Sequence, residues 1–333
     1  MMTAHRVKSQ EHELFQGVLA GDRRALARAI TLVESARAPD RAKGEALLTA
    51  LLPHTGRAIR LGISGAPGVG KSTFIEALGK HLTEAGHRIA VLAVDPSSRR
   101  SGGSILGDKT RMEMLARDPS AFIRPSPAGT TLGGVARRTH EALLLVEAAG
   151  FDVVLVETVG VGQSETAVAD MVDLFVLLVA PGGGDELQGI KRGVMELADL
   201  VIVTKADGDL ADAASRAASD YAAALHLMRP KYTALAAKVL KVSALKVVGI
   251  ADAWRALREG YDALMKSGEI AVLRREQARR WFLAEIGAAL SEEMDGDAAI
   301  AARAAEMERQ VLASRLLPHA AARALIRAFR GRS

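Results

Sequence analysis

The chain has 333 residues, 49% of them hydrophobic and 25% charged, which suits one large globular domain with appendages or two domains. Its net charge of +5 is modest, and basic and acidic residues are interspersed, which argues against a nucleic-acid-binding surface. The absence of cysteine excludes disulfides, cysteine-ligated zinc and cysteine-ligated iron–sulfur clusters. No secretory signal pattern opens the chain, and the most apolar run, 174–180, is too short to cross a bilayer. We therefore expect a cytoplasmic protein with no membrane partner.

The first 56 residues are predicted to form a helical extension. Apolar residues recur at helical spacing over 11–19, 22–33 and 40–52, and Gly21 and Pro39 separate these segments. Asp22 and Asp40 stand where helix caps or first-turn acids are expected. We expect these helices to cover one face of a sheet.

From residue 57 to about 267, strand and helix patterns alternate. The predicted strands are 59–64, 88–95, 121–124, 153–157, 174–180, 200–205 and 239–243. Several are near-continuous apolar runs, which is typical of parallel strands buried on both faces. The predicted helices between them include 73–85, closed by Gly86, 135–149 and 210–227. The pattern predicts an α/β fold with a mostly parallel central sheet flanked by helices and with ligands at the carboxyl ends of the strands.

A glycine-rich stretch, Gly-Ala-Pro-Gly-Val-Gly-Lys-Ser at 65–72, joins the first predicted strand to the following helix and fits the phosphate-loop pattern G-x-x-x-x-G-K-[ST]. Glycines let the backbone wrap phosphates and point N–H groups inward. Lys71 would place a charge on the β- and γ-phosphates, and the Ser72 hydroxyl is an oxygen ligand suited to Mg²⁺. The sequence thus predicts a P-loop nucleoside triphosphatase. The predicted triphosphate-binding residues are Gly65, Ala66, Pro67, Gly68, Val69, Gly70, Lys71, Ser72 and Thr73.

Carboxylates follow two other predicted strands. Asp95 ends the second strand and could hold a metal-bound or an attacking water; Asp108 lies in the polar stretch that follows and could reach the metal. That stretch is either a loop that orders around Mg²⁺ and a γ-phosphate or an ordinary surface loop. Glu157 ends the fourth strand, where P-loop enzymes carry a metal-side acid, and Gly160 could bring its N–H to the γ-phosphate.

Two short motifs indicate the base. Thr204-Lys205-Ala206-Asp207 resembles the guanine motif N-K-x-D, and Ser243-Ala244-Leu245 resembles a second guanine loop. The Asp207 carboxylate can accept hydrogen bonds from guanine N1–H and from its exocyclic amine. Adenine has neither donor there and would leave a buried charge unpaired, so the motifs favour guanine.

A third glycine-rich segment follows the fifth predicted strand. We interpret it as a mobile switch that reports nucleotide state to a partner; the alternative is a flexible surface turn. Its predicted switch residues are Gly182, Gly183, Gly184, Asp185, Gln188 and Lys191.

The C-terminal part is predicted to be helical over 269–294, 297–316 and 319–329, with Pro318 separating the last two helices. Ala, Leu and Val recur along it. Helical spacing is compatible with a dimerisation arm and equally with a monomeric helical cap.

These motifs occur together with five family-specific runs: VDPSS at 94–98, RPSPAGTTLGGVA at 124–136, ETVGVGQSE at 157–165, PGGGDELQGIKRG at 181–193 and TKAD at 204–207. The whole chain thereby resembles the MeaB/ArgK family of GTPases. The resemblance implies a helical part at 1–56, a GTPase domain at 57–267 and a homodimerisation arm at 268–333. It also implies a partner, the adenosylcobalamin-dependent methylmalonyl-CoA mutase, whose cofactor loading the GTPase gates and which it protects from inactivation.

The resemblance further implies site roles. Mg²⁺ bound with GTP or GDP would be surrounded by Ser72, Asp95, Asp108 and Glu157. Lys71, Asp95 and Glu157 would take part in hydrolysis. Guanine would be held by Lys205, Asp207 and Ser243, Ala244 and Leu245.

Two other functions compete with this hypothesis. A transport-system kinase of the ArgK type would need an acceptor pocket, for which the sequence shows no motif. A metallochaperone GTPase that inserts nickel would be expected to carry His or Cys clusters, whereas this chain has 8 scattered His and no Cys.

Overall fold

The structure is a computed structural model that describes residues 2–35, 37–94, 112–125, 132–158, 164–182 and 192–331. Two compact units are distinguished, Met1–Ala271 and Val272–Ser333. No helix in the described ranges is long and apolar enough to span a bilayer.

Three helices open the first unit: α1 (Met2–Leu19), α2 (Arg23–Val33) and α3 (Ala38–Leu51). The Asp22 carboxylate caps α2 by accepting the Ala25 N–H at 2.6 Å, and Asp40 lies in the first turn of α3, as expected. α1 begins well before residue 11, its predicted start.

Seven strands form one parallel sheet in the order β3-β2-β4-β1-β5-β6-β7. They are β1 (Ile59–Gly65), β2 (Ile89–Val94), β3 (Ala121–Arg124), β4 (Val153–Thr158), β5 (Leu174–Val179), β6 (Leu200–Val203) and β7 (Lys238–Lys241). Every residue of β4 and of β5 is buried, which explains their unbroken apolar runs. The predicted α/β fold is confirmed. The sixth and seventh strands end two residues earlier than predicted, so Thr204, Lys205 and Ser243 lie in the turns beyond them.

Helices cover both faces of this sheet. They are α4 (Lys71–Glu84), α5 (Glu113–Ala116), α6 (Leu132–Ala148), α7 (Ser164–Ala169), α8 (Arg192–Met195), α9 (Ala211–His226) and α10 (Ile250–Ser267). The side chains of Ile59, Leu61 and Ile63 in β1 belong to the core under α4 and α10. The opposite face packs against α6 and α7. The N-terminal helices contact α6, so they reach the sheet mainly through that helix.

Helix α10 was not among the helices predicted from the sequence. It lies between Gly249 and Gly268, both in left-handed backbone (φ 78° and 80°), and it buries Ala253, Leu257 and Leu264. Glycine accepts that conformation at little steric cost, so the two residues can delimit the helix.

The C-terminal helices are α11 (Glu269–Gly296), which begins in the first unit, α12 (Ala298–Leu312) and α13 (Pro318–Arg330). A break between the last two helices was predicted at Pro318, and the structure places it at 313–317, directly before that residue. α12 already ends at Leu312, and Pro318 occupies the first turn of α13, where a missing backbone N–H costs nothing.

Candidate nucleotide-binding site

The site lies at the carboxyl ends of the strands around β1. β1 pairs with β4 on one side and with β5 on the other. The chain connections that leave β1 and β4 therefore run to opposite sides of β1. Such a divergence leaves a crevice at the carboxyl edge of a parallel sheet. The loop 66–70 leaves β1 at this position and enters α4.

The loop requires glycine at two positions. A Cβ on Gly65 would lie 2.5 Å from the carbonyl oxygen of Leu178 in the neighbouring strand, so only glycine fits this close approach. Gly70, at the N-terminus of α4, has φ 101°, a left-handed conformation that side-chain-bearing residues avoid. Buried Val69 lies between them, 2% exposed, and anchors the loop to the core.

Lys71 is the first residue of α4, and its side chain folds back over the loop. Nζ donates to the carbonyl oxygens of Gly65 at 2.8 Å and of Ala66 at 3.1 Å. The ammonium group is therefore held next to the first N–H groups of α4. An anion bound there would be stabilised both by the Lys71 charge and by the positive end of the helix dipole.

Ser72 and Glu157 meet although they are 85 residues apart. Ser72 Oγ lies 3.4 Å from Glu157 Oε1, and Glu157 is 5% exposed at the end of β4. A hydroxyl and a carboxylate next to a phosphate-binding loop are the hard oxygen donors that Mg²⁺ prefers, so this pair fits the ion. Asp95, Asp108 and Gly160 lie outside the described residues.

The turn after β6 is tied to the phosphate loop by two side chains. The buried Thr204 hydroxyl lies 2.7 Å from the carbonyl oxygen of Val69 and 3.1 Å from that of Val179. Lys205, with φ 53°, donates from Nζ to the carbonyl oxygen of Gly68 at 2.9 Å. These ties hold the predicted base-binding turn beside the loop, and sequence reasoning had assigned Thr204 no such role.

Asp207 is partly exposed at the start of the turn 208–210. Within the described part of the chain its carboxylate makes no hydrogen bond, which leaves both oxygens available to a ligand.

The predicted second base loop lies beside this turn. The Ala206 N–H donates to the carbonyl oxygen of Val242 at 3.1 Å, which joins the two segments. Ser243 and Val248 exchange two backbone hydrogen bonds of 3.0 Å and close a tight turn that contains Ala244. Leu245, in contrast, is 82% exposed at the tip.

Of the predicted switch residues, Gly182 is described and has φ 127°. Gly183, Gly184, Asp185, Gln188 and Lys191 lie outside the described residues.

A buried hydroxyl pair was also missed. Thr158 Oγ1 donates to Ser64 Oγ at 2.9 Å, and both residues are fully buried at the ends of β4 and β1. The signal in the sequence was a hydroxyl residue at the end of one predicted strand and another directly after a second, which identifies a contact only when the two strands are known to be neighbours.

Comparison with known proteins shows which family this chain belongs to. The family described as methylmalonyl Co-A mutase-associated GTPase MeaB matches residues 26–299. A putative GTPase of Caulobacter vibrioides is 53% identical over 99% of both chains. The methylmalonic aciduria type A homolog, mitochondrial, of Mus musculus is 50% identical over 96% of this chain and 79% of its own length.

One solved structure, a LAO/AO transport system kinase, superposes with a TM-score of 0.76 at 38% identity, covering 97% of this chain and 98% of that one. The phosphate loop, the parallel sheet and a family match over most of the chain lead to one conclusion. The chain belongs to the MeaB family of GTPases.

Proposed function

We propose that this protein binds GTP at the 65–72 loop and hydrolyses it to GDP and phosphate. One observation carries the proposal: the Lys71 ammonium, the glycine loop and the Ser72–Glu157 pair converge at the carboxyl edge of the sheet. The family and the relative named as a GTPase support it.

The residues suggest how hydrolysis would proceed. Water would attack the γ-phosphorus in line with the bond to the departing β-phosphate oxygen. Lys71 would exchange its two carbonyl partners for phosphate oxygens, and the loop N–H groups would donate to the same oxygens as charge develops on them. Ser72 and Glu157, with Asp95 and Asp108, would hold Mg²⁺, which when bound neutralises phosphate charge.

We assign guanine recognition to Lys205, Asp207, Ser243, Ala244 and Leu245. The carboxylate of Asp207 would accept hydrogen bonds from the two adjacent N–H donors of guanine. The turn containing Ser243 would approach the base carbonyl with its backbone. Because Thr204 and Lys205 bind the phosphate loop directly, base and phosphate would be held in one fixed geometry.

The biological role we propose is that of a chaperone for methylmalonyl-CoA mutase. GTP binding and hydrolysis would gate loading of the adenosylcobalamin cofactor and protect the mutase from inactivation, with the segment 182–191 as the switch that contacts the partner. The family description and the name of the mouse relative support this role. A cytoplasmic location belongs to the same proposal.

We also propose that residues 268–333 form a homodimerisation arm. In the second compact unit, four exposed large apolar side chains lie close together along α11: Phe282, Leu283, Ile286 and Leu290 are 42–65% exposed. Clustered exposed apolar residues on one helix are typical of an interface between chains.

The GTPase proposal is tested with Lys71→Ala. We expect the dissociation constant for GTP, measured by calorimetry, to rise about 100-fold or more, because a charge-assisted contact to phosphate is lost. Lys80→Ala, further along α4, is the control and should bind normally. Unchanged binding by Lys71→Ala would refute the site.

GTP labelled at its γ-phosphate distinguishes a GTPase from a kinase. Release of labelled inorganic phosphate is the expected result. Transfer of the label to a protein or an amino acid would instead support the kinase alternative.

The mutase proposal is tested by pull-down of purified methylmalonyl-CoA mutase with the full chain in GDP and in a non-hydrolysable GTP analogue. We expect capture in both states with different affinities. Capture that is independent of the nucleotide would contradict the switch role, and no capture at all would contradict the partner.

A further inference from the structure

The hydroxyl pair of Ser64 and Thr158 joins the two strands that carry the proposed catalytic groups. Thr158 Oγ1 donates to Ser64 Oγ at 2.9 Å, 94 residues away in sequence, and both residues have no exposed surface. Two buried hydroxyls at this position are not needed to fill space, because a valine and an alanine would occupy nearly the same volume.

The pair continues the contact between β1 and β4 past the end of their ladder. The last backbone-paired residues of these strands are Ile63 and Glu157. Ser64 and Thr158 follow directly, and each stays paired with its other neighbour in the sheet, Ser64 with Leu177 of β5 and Thr158 with Val94 of β2. The side-chain hydrogen bond therefore holds β1 and β4 together where the backbone ladder between these two strands has stopped.

Each partner is next to a residue of the proposed site. Ser64 precedes Gly65, whose carbonyl oxygen accepts from Lys71 Nζ. Thr158 follows Glu157, whose carboxylate reaches Ser72. Since side chains alternate along a strand, Ser64 and Thr158 lie on the sheet face opposite to the one that meets α4. The Ser72–Glu157 contact thus lies on one face of the sheet, and the Ser64–Thr158 hydrogen bond lies on the other.

We infer that Ser64 and Thr158 are positioning residues that set the distance between the phosphate loop and the Glu157 carboxylate, and through it the rate of GTP hydrolysis. The inference rests on the proposed GTPase function. Neither hydroxyl would contact the nucleotide. Both act through the backbone of Gly65 and Glu157, and a shift of about 1 Å at a reacting centre can lower a rate about 100-fold.

The test compares Thr158→Val, Thr158→Ser and the double variant S64A/T158V in the full-length protein. Thr158→Val keeps the shape of the side chain but leaves Ser64 Oγ without its donor, whereas the double variant removes both polar groups and should recover thermal stability. We measure kcat and KM for GTP, the Mg²⁺ concentration giving half the maximal rate, the affinity for GDP and the melting temperature.

We expect Thr158→Val to lower kcat at least about 10-fold and to raise the Mg²⁺ requirement, with little change in KM or GDP affinity. Thr158→Ser, which keeps the hydroxyl, should retain most of kcat. The double variant should recover the melting temperature but not kcat. Recovery of the melting temperature without recovery of kcat distinguishes a positioning role from a stabilising one. If the pair only stabilised the fold, the double variant would recover both kcat and the melting temperature.

Thr139→Val is the matched control. Thr139 is 2% exposed and its hydroxyl donates to the Val135 carbonyl oxygen at 2.9 Å within α6, away from the site. Its loss should leave kcat unchanged.

Recovery of kcat in the double variant, or a kcat for Thr158→Val within about 2-fold of wild type, would overturn the inference while the proposed function stands. Absence of GTP hydrolysis by the wild-type protein would instead overturn the proposed function itself.

Discussion

At the residue scale, a single carboxylate is expected to determine which base is accepted. Asp207 presents two acceptor oxygens that no neighbour in the described part of the chain uses. Guanine offers two N–H donors in the matching arrangement. A site built to hydrogen-bond specific donors rejects analogues that lack them, because its own polar groups are left unpaired.

We predict that Asp207→Asn changes the base preference of the site from guanine to xanthine. The amide N–H₂ faces the position at which guanine has a donor and xanthine an acceptor, so kcat/KM for GTP should fall at least about 100-fold while turnover of xanthosine triphosphate appears. Competition between the two nucleotides measures the exchange, with Asp209→Asn, on an exposed residue two positions further, as the control. Equal loss of both nucleotides would contradict the assignment.

At the element scale, α6 is fixed to the sheet by a buried ion pair. Arg60 of β1 donates from Nε and Nη2 to the Glu147 carboxylate at 2.8 and 2.9 Å, and Glu147 also accepts the Gly56 N–H at 2.7 Å. Removing either partner would leave a buried charge uncompensated. His140 lies on the same helix, and its pKa is lowered to about 4 by burial and by the positive charge of Arg60.

This histidine predicts how stability varies with pH. The unfolded chain binds a proton at His140 below about pH 6.5, but the folded chain does so only near pH 4, so the unfolded state gains protons first as pH falls. The contribution of His140 is fully present above pH 6.5 and is lost progressively towards pH 4, by at most about 3 kcal/mol. Denaturant unfolding at several pH values should therefore show a shallower pH dependence for His140→Gln than for wild type. Exposed His226→Gln is the control, and equal slopes in all three proteins would refute this reading.

At the scale of the whole molecule, the proposed dimer depends on α11. Phe282 and Ile286 are 65% and 49% exposed and one helical turn apart. We predict that a double substitution of both by Glu converts a dimer to a monomer in sedimentation equilibrium, because charges would be buried in an apolar interface. Ser291→Glu adds a charge on a different side of the same helix and should leave the dimer intact. A wild-type protein that sediments as a monomer at micromolar concentration would contradict the arm assignment.

Local sequence determined most of the elements of this protein. The spacing of apolar residues predicted all seven strands to within two residues at their ends. β4 and β5 were the clearest, because a parallel strand buried on both faces has a continuous apolar pattern that needs no partner to be recognised. The glycines and Lys71 indicated the phosphate loop, because the loop needs glycine for its backbone conformation and a lysine charge for the phosphates. Helix α10 was missed although its flanking glycines were visible.

Tertiary structure alone decided which strand ends meet. The order that places β1 between β4 and β5 comes from crossovers and long-range pairing, and no local periodicity encodes it. Ser72–Glu157, Ser64–Thr158 and Thr204–Val69 join residues 85, 94 and 135 positions apart. A sequence pattern shows which side chains can donate or accept, but whether a buried donor finds its acceptor depends on which strands the folded sheet makes neighbours.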